Sequence, residues 1–84
     1  MKKILMYTSS FCPYCLNAER LLSEKGFDVI EKIFIDDSPK EREKMMKITG
    51  KRTVPQIFID KIYIGGFEEL RASELSGELD KILT

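Results

Sequence analysis

The 84-residue sequence contains no histidine and no tryptophan, only two cysteines and three prolines, and no surplus of either charge, with 14 Lys+Arg against 14 Asp+Glu. Each shortage excludes something. Without imidazole there is no Ser/His or Cys/His dyad, no imidazole metal ligand and no imidazole base. A net charge of zero gives no long-range field to gather nucleic acid or an anionic membrane surface. No run approaches the roughly 20 apolar residues of a membrane span. Met1-Lys2-Lys3-Ile4-Leu5-Met6 imitates the basic start of an export signal, but its apolar run stops at Tyr7-Thr8-Ser9-Ser10, short of the roughly 7–15 apolar residues such a signal needs. We read it as a first strand and expect a cytoplasmic chain, where a disulfide is transient or catalytic.

What is present fits one small domain over residues 1–84. A chain of this size buries only about 60% of the surface its unfolded form exposes, so any active site lies near the surface. Catalysis falls to Cys, carboxylate, Lys, Tyr or backbone groups.

Residues 3–8 are apolar and β-prone. From Pro13, the positions Cys15, Ala18, Leu21 and Leu22 recur at helical spacing, with Pro13 suited to the first turn and Gly26 to the stop. Val29, Ile33, Phe34 and Ile35 predict a second strand closed by Asp36-Asp37. Ser38-Pro39-Lys40-Glu41 fits a capping box opening a short charged helix that carries Met45, Met46 and Ile48 and ends at Gly50. Ile57-Phe58-Ile59, a turn at Asp60-Lys61, and Ile62-Tyr63-Ile64 predict a hairpin. Leu75, Leu79, Ile82 and Leu83 predict a final helix, weakened by Gly77. The order β-α-β-α-β-β-α predicts an α/β fold: a parallel pair joined by a crossover, then an antiparallel hairpin, in a mixed sheet covered by helices.

Cys12-Pro13-Tyr14-Cys15 sits at the first strand-to-helix junction. Unpaired N–H groups and the helix dipole there favour a thiolate at Cys12, the expected nucleophile. Cys15 lies one turn further in, on the same face, close enough to form a disulfide, and is the expected resolving thiol. A purely stabilising disulfide is disfavoured by so short a loop and by the compartment. A zinc site usually needs four Cys or His ligands, and this chain supplies two; no metal is expected. C-x-x-C beside a βαβ pattern in a cytosolic chain points to redox chemistry.

With Tyr7-Thr8, Cys12-Pro13-Tyr14-Cys15, Thr53-Val54-Pro55-Gln56-Ile57-Phe58-Ile59 and Ile64-Gly65-Gly66 in this order, the chain resembles a glutaredoxin of the small bacterial dithiol type over essentially its whole length. The resemblance implies a thioredoxin fold with a four-stranded sheet, and glutathione-dependent reduction of protein disulfides and protein–glutathione mixed disulfides. No tightly bound cofactor is implied; glutathione is the reductant. The implied partners are glutathione and disulfide-bearing or glutathionylated proteins, ribonucleotide reductase being one for some relatives, and the protein is expected to be a monomer.

For Pro55 the residues alone leave two readings open: a proline starting an edge strand, or a cis-proline that turns the Val54 backbone toward Cys12. The resemblance implies the second, with Thr53, Val54 and Pro55 offering main-chain groups to glutathione as an added strand. Gly65-Gly66 reads equally as a strand terminator or as a place where a ligand meets backbone N–H groups. The resemblance implies the γ-glutamyl end of glutathione there, on Gly66 and the N–H groups of Phe67 and Glu68, with Glu68 or Glu69 facing its ammonium. Lys40, Arg42, Lys44, Lys47, Lys51 and Arg52 read mainly as a solvated face; by resemblance Arg42 takes the glycine carboxylate. Tyr14 stands beside the reactive sulfur. Ser9 departs from the lysine that many glutaredoxins carry three residues before the nucleophile, and Lys51 or Arg52 are the candidates to replace that charge. Two other uses of the cysteines are a thioredoxin-like carrier indifferent to glutathione and an iron–sulfur carrier; a third class is a non-enzymatic interaction module.

Overall fold

A computed structural model describes residues 2–27 and 29–83. Hydrophobic alternation decides which strand is central. In β1 (Ile4–Thr8), Ile4 and Met6 are buried in one hydrophobic cluster and Tyr7 in another, with Leu5 packed against the second. A strand apolar on both faces must be covered on both. β2 (Ile30–Phe34) pairs with it in parallel, Ile4 opposite Ile30 and Thr8 opposite Phe34. β3 (Gln56–Ile59) pairs antiparallel on the other side, Tyr7 opposite Gln56. β4 (Ile62–Gly65) pairs antiparallel with β3, giving the order β2-β1-β3-β4.

The parallel pair needs a crossover, and α1 (Pro13–Glu24) supplies it. Its Ala18 and Leu22 join Ile4, Met6, Ile57 and Ile59 in the larger cluster, completed by Leu70 of α3 (Phe67–Ser76) and Leu79 of α4 (Glu78–Leu83). Truncating a side chain as buried as Leu22 costs about 2–5 kcal/mol. The opposite face is thinner. There α2 (Pro39–Thr49) contributes Met45 to a cluster with Tyr7 and Ile35, against which Val54 and Phe58 pack.

The expected hairpin is present, and Asp60 at its turn adopts a positive φ of 53°, which a short polar side chain tolerates. Its carboxylate accepts from the Lys3 N–H at 2.9 Å, and this hydrogen bond, more than the nearby Lys2 charge, holds it below its ordinary value.

Two expectations need correction. The single C-terminal helix is two helices: Gly77 is left-handed at φ +86° and its N–H donates to the Glu74 carbonyl, ending α3. The apolar periodicity therefore does not run through from 75 to 83, and Leu75 is 73% exposed while Leu79 is buried. Val29 is not part of β2; it precedes Ile30 and is 89% exposed.

Because β1, β2 and β4 run the same way and β3 runs against them, α1, α2 and α3 all begin at one end of the sheet. The segment entering β3 begins there too. That convergence builds the site.

Candidate active site

Cys12 is the N-cap residue of α1, in extended conformation (φ −140°, ψ 99°), followed by Pro13 at the first helical position. The Cys15 N–H donates to Cys12 Sγ at 3.2 Å. A helix donor that would otherwise be orphaned thus stabilises negative charge on this sulfur. Cys12 and Cys15 are joined in a disulfide, with their Cα atoms 5.2 Å apart. Their surroundings differ: Cys15 is 2% exposed, whereas Cys12 is half-buried and follows Phe11, itself 95% exposed. An incoming thiolate therefore reaches Cys12 first.

The loop before β3 closes on the same sulfur. The Val54–Pro55 peptide bond is cis, which resolves the two readings of Pro55 in favour of the one the resemblance implies. The Val54 carbonyl oxygen stands 3.7 Å from Cys12 Sγ, within reach of a thiol proton once the disulfide is opened. Gln56, 2% exposed, fastens the loop from beneath: its Nε2 donates to the Thr53 carbonyl at 2.9 Å, and its Oε1 accepts from the Tyr63 hydroxyl. Burial, with a smaller contribution from the Glu69 charge, holds the Tyr63 phenol above its ordinary value.

The third wall is Gly65-Gly66. Gly65 has φ +116°, and a Cβ there would sit 2.8 Å from Glu69 Oε1. A Cβ on Gly66 would come within 3.3 Å of the Pro55 carbonyl oxygen. Gly65 therefore needs glycine for its conformation, while a side chain at Gly66 would require the Pro55 carbonyl to give by a few tenths of an ångström. Gly66 caps α3 without a side chain to bind the following donors, and Glu69 Oε1 accepts the Gly66 N–H at 2.8 Å. The N–H groups that follow, at Phe67 and Glu68, open α3 without a side-chain cap.

A sulfur poised at a helix start, a buried companion and a cis-proline form a thiol–disulfide site, and comparison with known proteins agrees. The glutaredoxin family model matches residues 4–64. A glutaredoxin of Neisseria meningitidis is 43% identical over 83 residues, covering 99% of this chain and 98% of its own. Glutaredoxin 3 of Escherichia coli is 45% identical over 83 residues, covering 99% of both chains. The chain belongs to the glutaredoxin family. Glutaredoxins are thiol–disulfide oxidoreductases, and the sheet and helices form the thioredoxin fold. The crystal structure of a buckwheat glutaredoxin–glutathione complex superposes with a TM-score of 0.88 at 26% identity, covering 98% of this chain and 76% of that one.

Within this glutaredoxin site, Tyr14 is exposed on the first turn of α1, its ring centroid 6.3 Å from that of Phe67 at the start of α3. Thr53 is exposed and Pro55 buried. Arg42 is exposed on the first turn of α2, where its charge contributes to lowering the Asp36 carboxyl. Glu68 is exposed, while Glu69 spends one oxygen on Gly66, so Glu68 is the freer carboxylate. Ser9 carries no charge to the site, and Lys51 and Arg52 are exposed in the loop leading to Thr53.

The contacts made by Gln56, Tyr63 and Asp36 escaped the sequence reading. Gln56 stood within the Thr53–Ile59 motif and Tyr63 within the hairpin, with no positioning role assigned to either. Asp36 read as a strand terminator, yet it accepts the Ser10 N–H at 3.1 Å, anchoring the loop that carries Cys12. Hydrogen bonds from Ser10 foremost, and more weakly the Arg42 charge, hold the Asp36 carboxyl below its ordinary value. Tyr7, buried with Ile35 and Met45, has its phenol raised by burial and, secondarily, by the Glu41 charge; Glu41 Oε2 is buried without a hydrogen-bond partner among the described residues. Among those residues no three His, Cys, Asp or Glu side chains group to hold a metal, and no helix is long and apolar enough to cross a membrane.

Proposed function

We propose that residues 1–84 act as one cytoplasmic glutaredoxin domain that uses glutathione to reduce protein–glutathione mixed disulfides and protein disulfides. The observation that carries this reading is the placement of Cys12: its sulfur receives a helix N–H at 3.2 Å, faces the Val54 carbonyl at 3.7 Å, and is reached before the buried Cys15.

On a glutathionylated protein, the Cys12 thiolate attacks the glutathione sulfur. The protein thiolate leaves and glutathione remains on Cys12; a second glutathione thiolate then attacks that disulfide, releasing oxidised glutathione and restoring Cys12. This route uses one cysteine. On a protein disulfide, Cys12 forms a mixed disulfide with one protein sulfur and expels the other as thiolate. Cys15 then attacks Cys12, releases the second protein thiolate and leaves the Cys12–Cys15 disulfide, the state described above. Two glutathiones reduce it, their two electrons ending in oxidised glutathione.

For glutathione itself, the Val54 main chain beside Cys12 suits pairing with an extended peptide, flanked by Thr53 and Pro55. The uncapped N–H groups of Phe67 and Glu68 suit a carboxylate, Gly66 leaves room for the approach, and Glu68 offers a carboxylate to an ammonium. Arg42 offers a guanidinium to a second carboxylate, and Tyr14 covers the sulfur from the α1 side. The buckwheat complex supports glutathione as the ligand of this fold.

The test is turnover of a glutathione mixed disulfide coupled through glutathione reductase to NADPH consumption, at varied glutathione. Saturable turnover that needs glutathione is expected. Cys12→Ser should abolish both activities, and Cys15→Ser should keep deglutathionylation while losing dithiol reduction. Turnover that ignores glutathione but accepts electrons from a flavoprotein reductase would replace this reading with a thioredoxin-type carrier.

A further inference from the structure

Beside the site, α1 and α3 run away from it side by side and leave an open groove of about 360 Å³ between them. Their starts meet at Tyr14 and Phe67, whose rings lie 6.3 Å apart. Their far ends are joined by Lys25, which bridges Glu74 of α3 at 3.4 Å and Asp80 of α4 at 3.0 Å. The floor is apolar where Leu21 and Phe67 pack against the main core. The exposed Leu75 closes the far wall.

Charge is unevenly distributed along this groove. Arg20 on α1 and Arg71 on α3 both line it, and neither forms an ion pair among the described residues. The carboxylates lining it, Glu24 and Glu74, lie further from Cys12 along their helices, and Glu74 is already held by Lys25. At 1.5 Å per residue, Arg71 stands about 6 Å beyond Phe67 and Arg20 about 9 Å beyond Tyr14. An extended peptide advances about 3.3 Å per residue, so a chain leaving a cysteine bonded to Cys12 meets the two arginines within a few residues.

We propose that this groove receives the polypeptide flanking the reacting cysteine of a protein substrate, and that Arg20 and Arg71 select an acidic residue about two to four positions from that cysteine. The inference rests on the reductase reading above. Arg20 and Arg71 line the groove from α1 and α3 respectively, and a guanidinium suits a carboxylate. Glu24, further along, opposes a continuing acidic run, so the preference is confined to the end near Cys12. The mixed disulfide of free cysteine and glutathione carries no polypeptide flanking the departing cysteine, so its turnover reads the chemistry without the flanking selectivity.

The experiment uses glutathionylated single-cysteine peptides in which Asp or Asn is placed in turn at each of the four positions on either side of the cysteine. Wild-type protein should turn over the best Asp peptide with kcat/KM about tenfold above its Asn counterpart, an advantage reduced by salt. Arg20→Gln and Arg71→Gln should each erode the preference and together remove it, with unchanged turnover of the mixed disulfide of free cysteine and glutathione. Arg71→Glu should shift the preference to a Lys peptide. An Asp preference that persists in the double variant, or equal rates for all peptides, overturns the groove proposal. Loss of wild-type turnover on the small mixed disulfide would instead overturn the reductase reading.

Discussion

The starts of α1 and α2 are built from the same parts. Cys12-Pro13-Tyr14-Cys15 and Ser38-Pro39-Lys40-Glu41 each place proline at the first helical position, and the cap residues share backbone angles of −140°, 99° and −145°, 102°. In each, the N–H three residues on donates to the cap side chain, at 3.2 Å to Cys12 Sγ and 3.3 Å to Ser38 Oγ. One cap is chemistry and the other is architecture. What separates them is not local conformation but the atom presented and what the rest of the chain brings to it. Sulfur accepts negative charge at neutral pH where a hydroxyl does not. Among the described residues only the α1 cap atom has the cis-proline loop against it, the Val54 carbonyl at 3.7 Å, and only α1 carries a second thiol at the donating position.

Substitutions that blur or sharpen this contrast should rank as follows. Cys12→Ser converts the first cap into a copy of the second; the fold should survive, measured by an unchanged circular dichroism spectrum, while both reductase activities fall to the uncatalysed background. Gln56→Leu leaves the α1 cap intact but releases the facing loop, stranding the Thr53 carbonyl and the Tyr63 hydroxyl. A loss of about 1–3 kcal/mol in denaturant unfolding is expected, with a raised KM for the glutathione mixed disulfide. Ser38→Ala removes the architectural cap and should cost about 1 kcal/mol with kcat unchanged; an equal loss of activity would show that α2 shapes the reactive cap after all.

The smallest effect concerns pH. The folded Asp36 carboxyl is held below its ordinary value chiefly by hydrogen bonds from Ser10. Its contribution is therefore present above the unfolded value, near pH 4, and is lost as pH falls through the lower folded value. Asp36→Asn should flatten that acid limb in thermal unfolding measured across it. The Tyr7 and Tyr63 phenols are raised, so their contribution holds below about pH 10 and is lost as pH rises through their folded values.

Most elements were legible because their signals are local. Ser38 and Pro39 announced α2, Gly50 its end, and Asp60-Lys61 the hairpin turn. The nucleophile was legible too, since Cys12 and Cys15 lie three residues apart and need only a helix start. The misreading at Leu75 arose because helical periodicity was carried across Gly77, whose left-handed φ interrupts the phase. What the sequence concealed is long in range. Asp36 and Ser10 are 26 residues apart and Cys12 and Val54 are 42 apart; no spacing rule links such pairs before the strand order is known. The α1–α3 groove belongs to the same class, because Arg20 and Arg71 become neighbours only when both helices pack on one face of the sheet.

The shared starting edge of α1, α2 and α3 gives this molecule a direction. Each helix carries about half a positive charge at its N-terminus and half a negative one at its C-terminus. Three helix starts at one end of the sheet give an electrically neutral chain a local excess of positive partial charge on the side that carries the reactive sulfur. The effect is confined to the first turns, so an anion is held at this edge only on close approach, and added salt should weaken that capture more than it slows the exchange that follows.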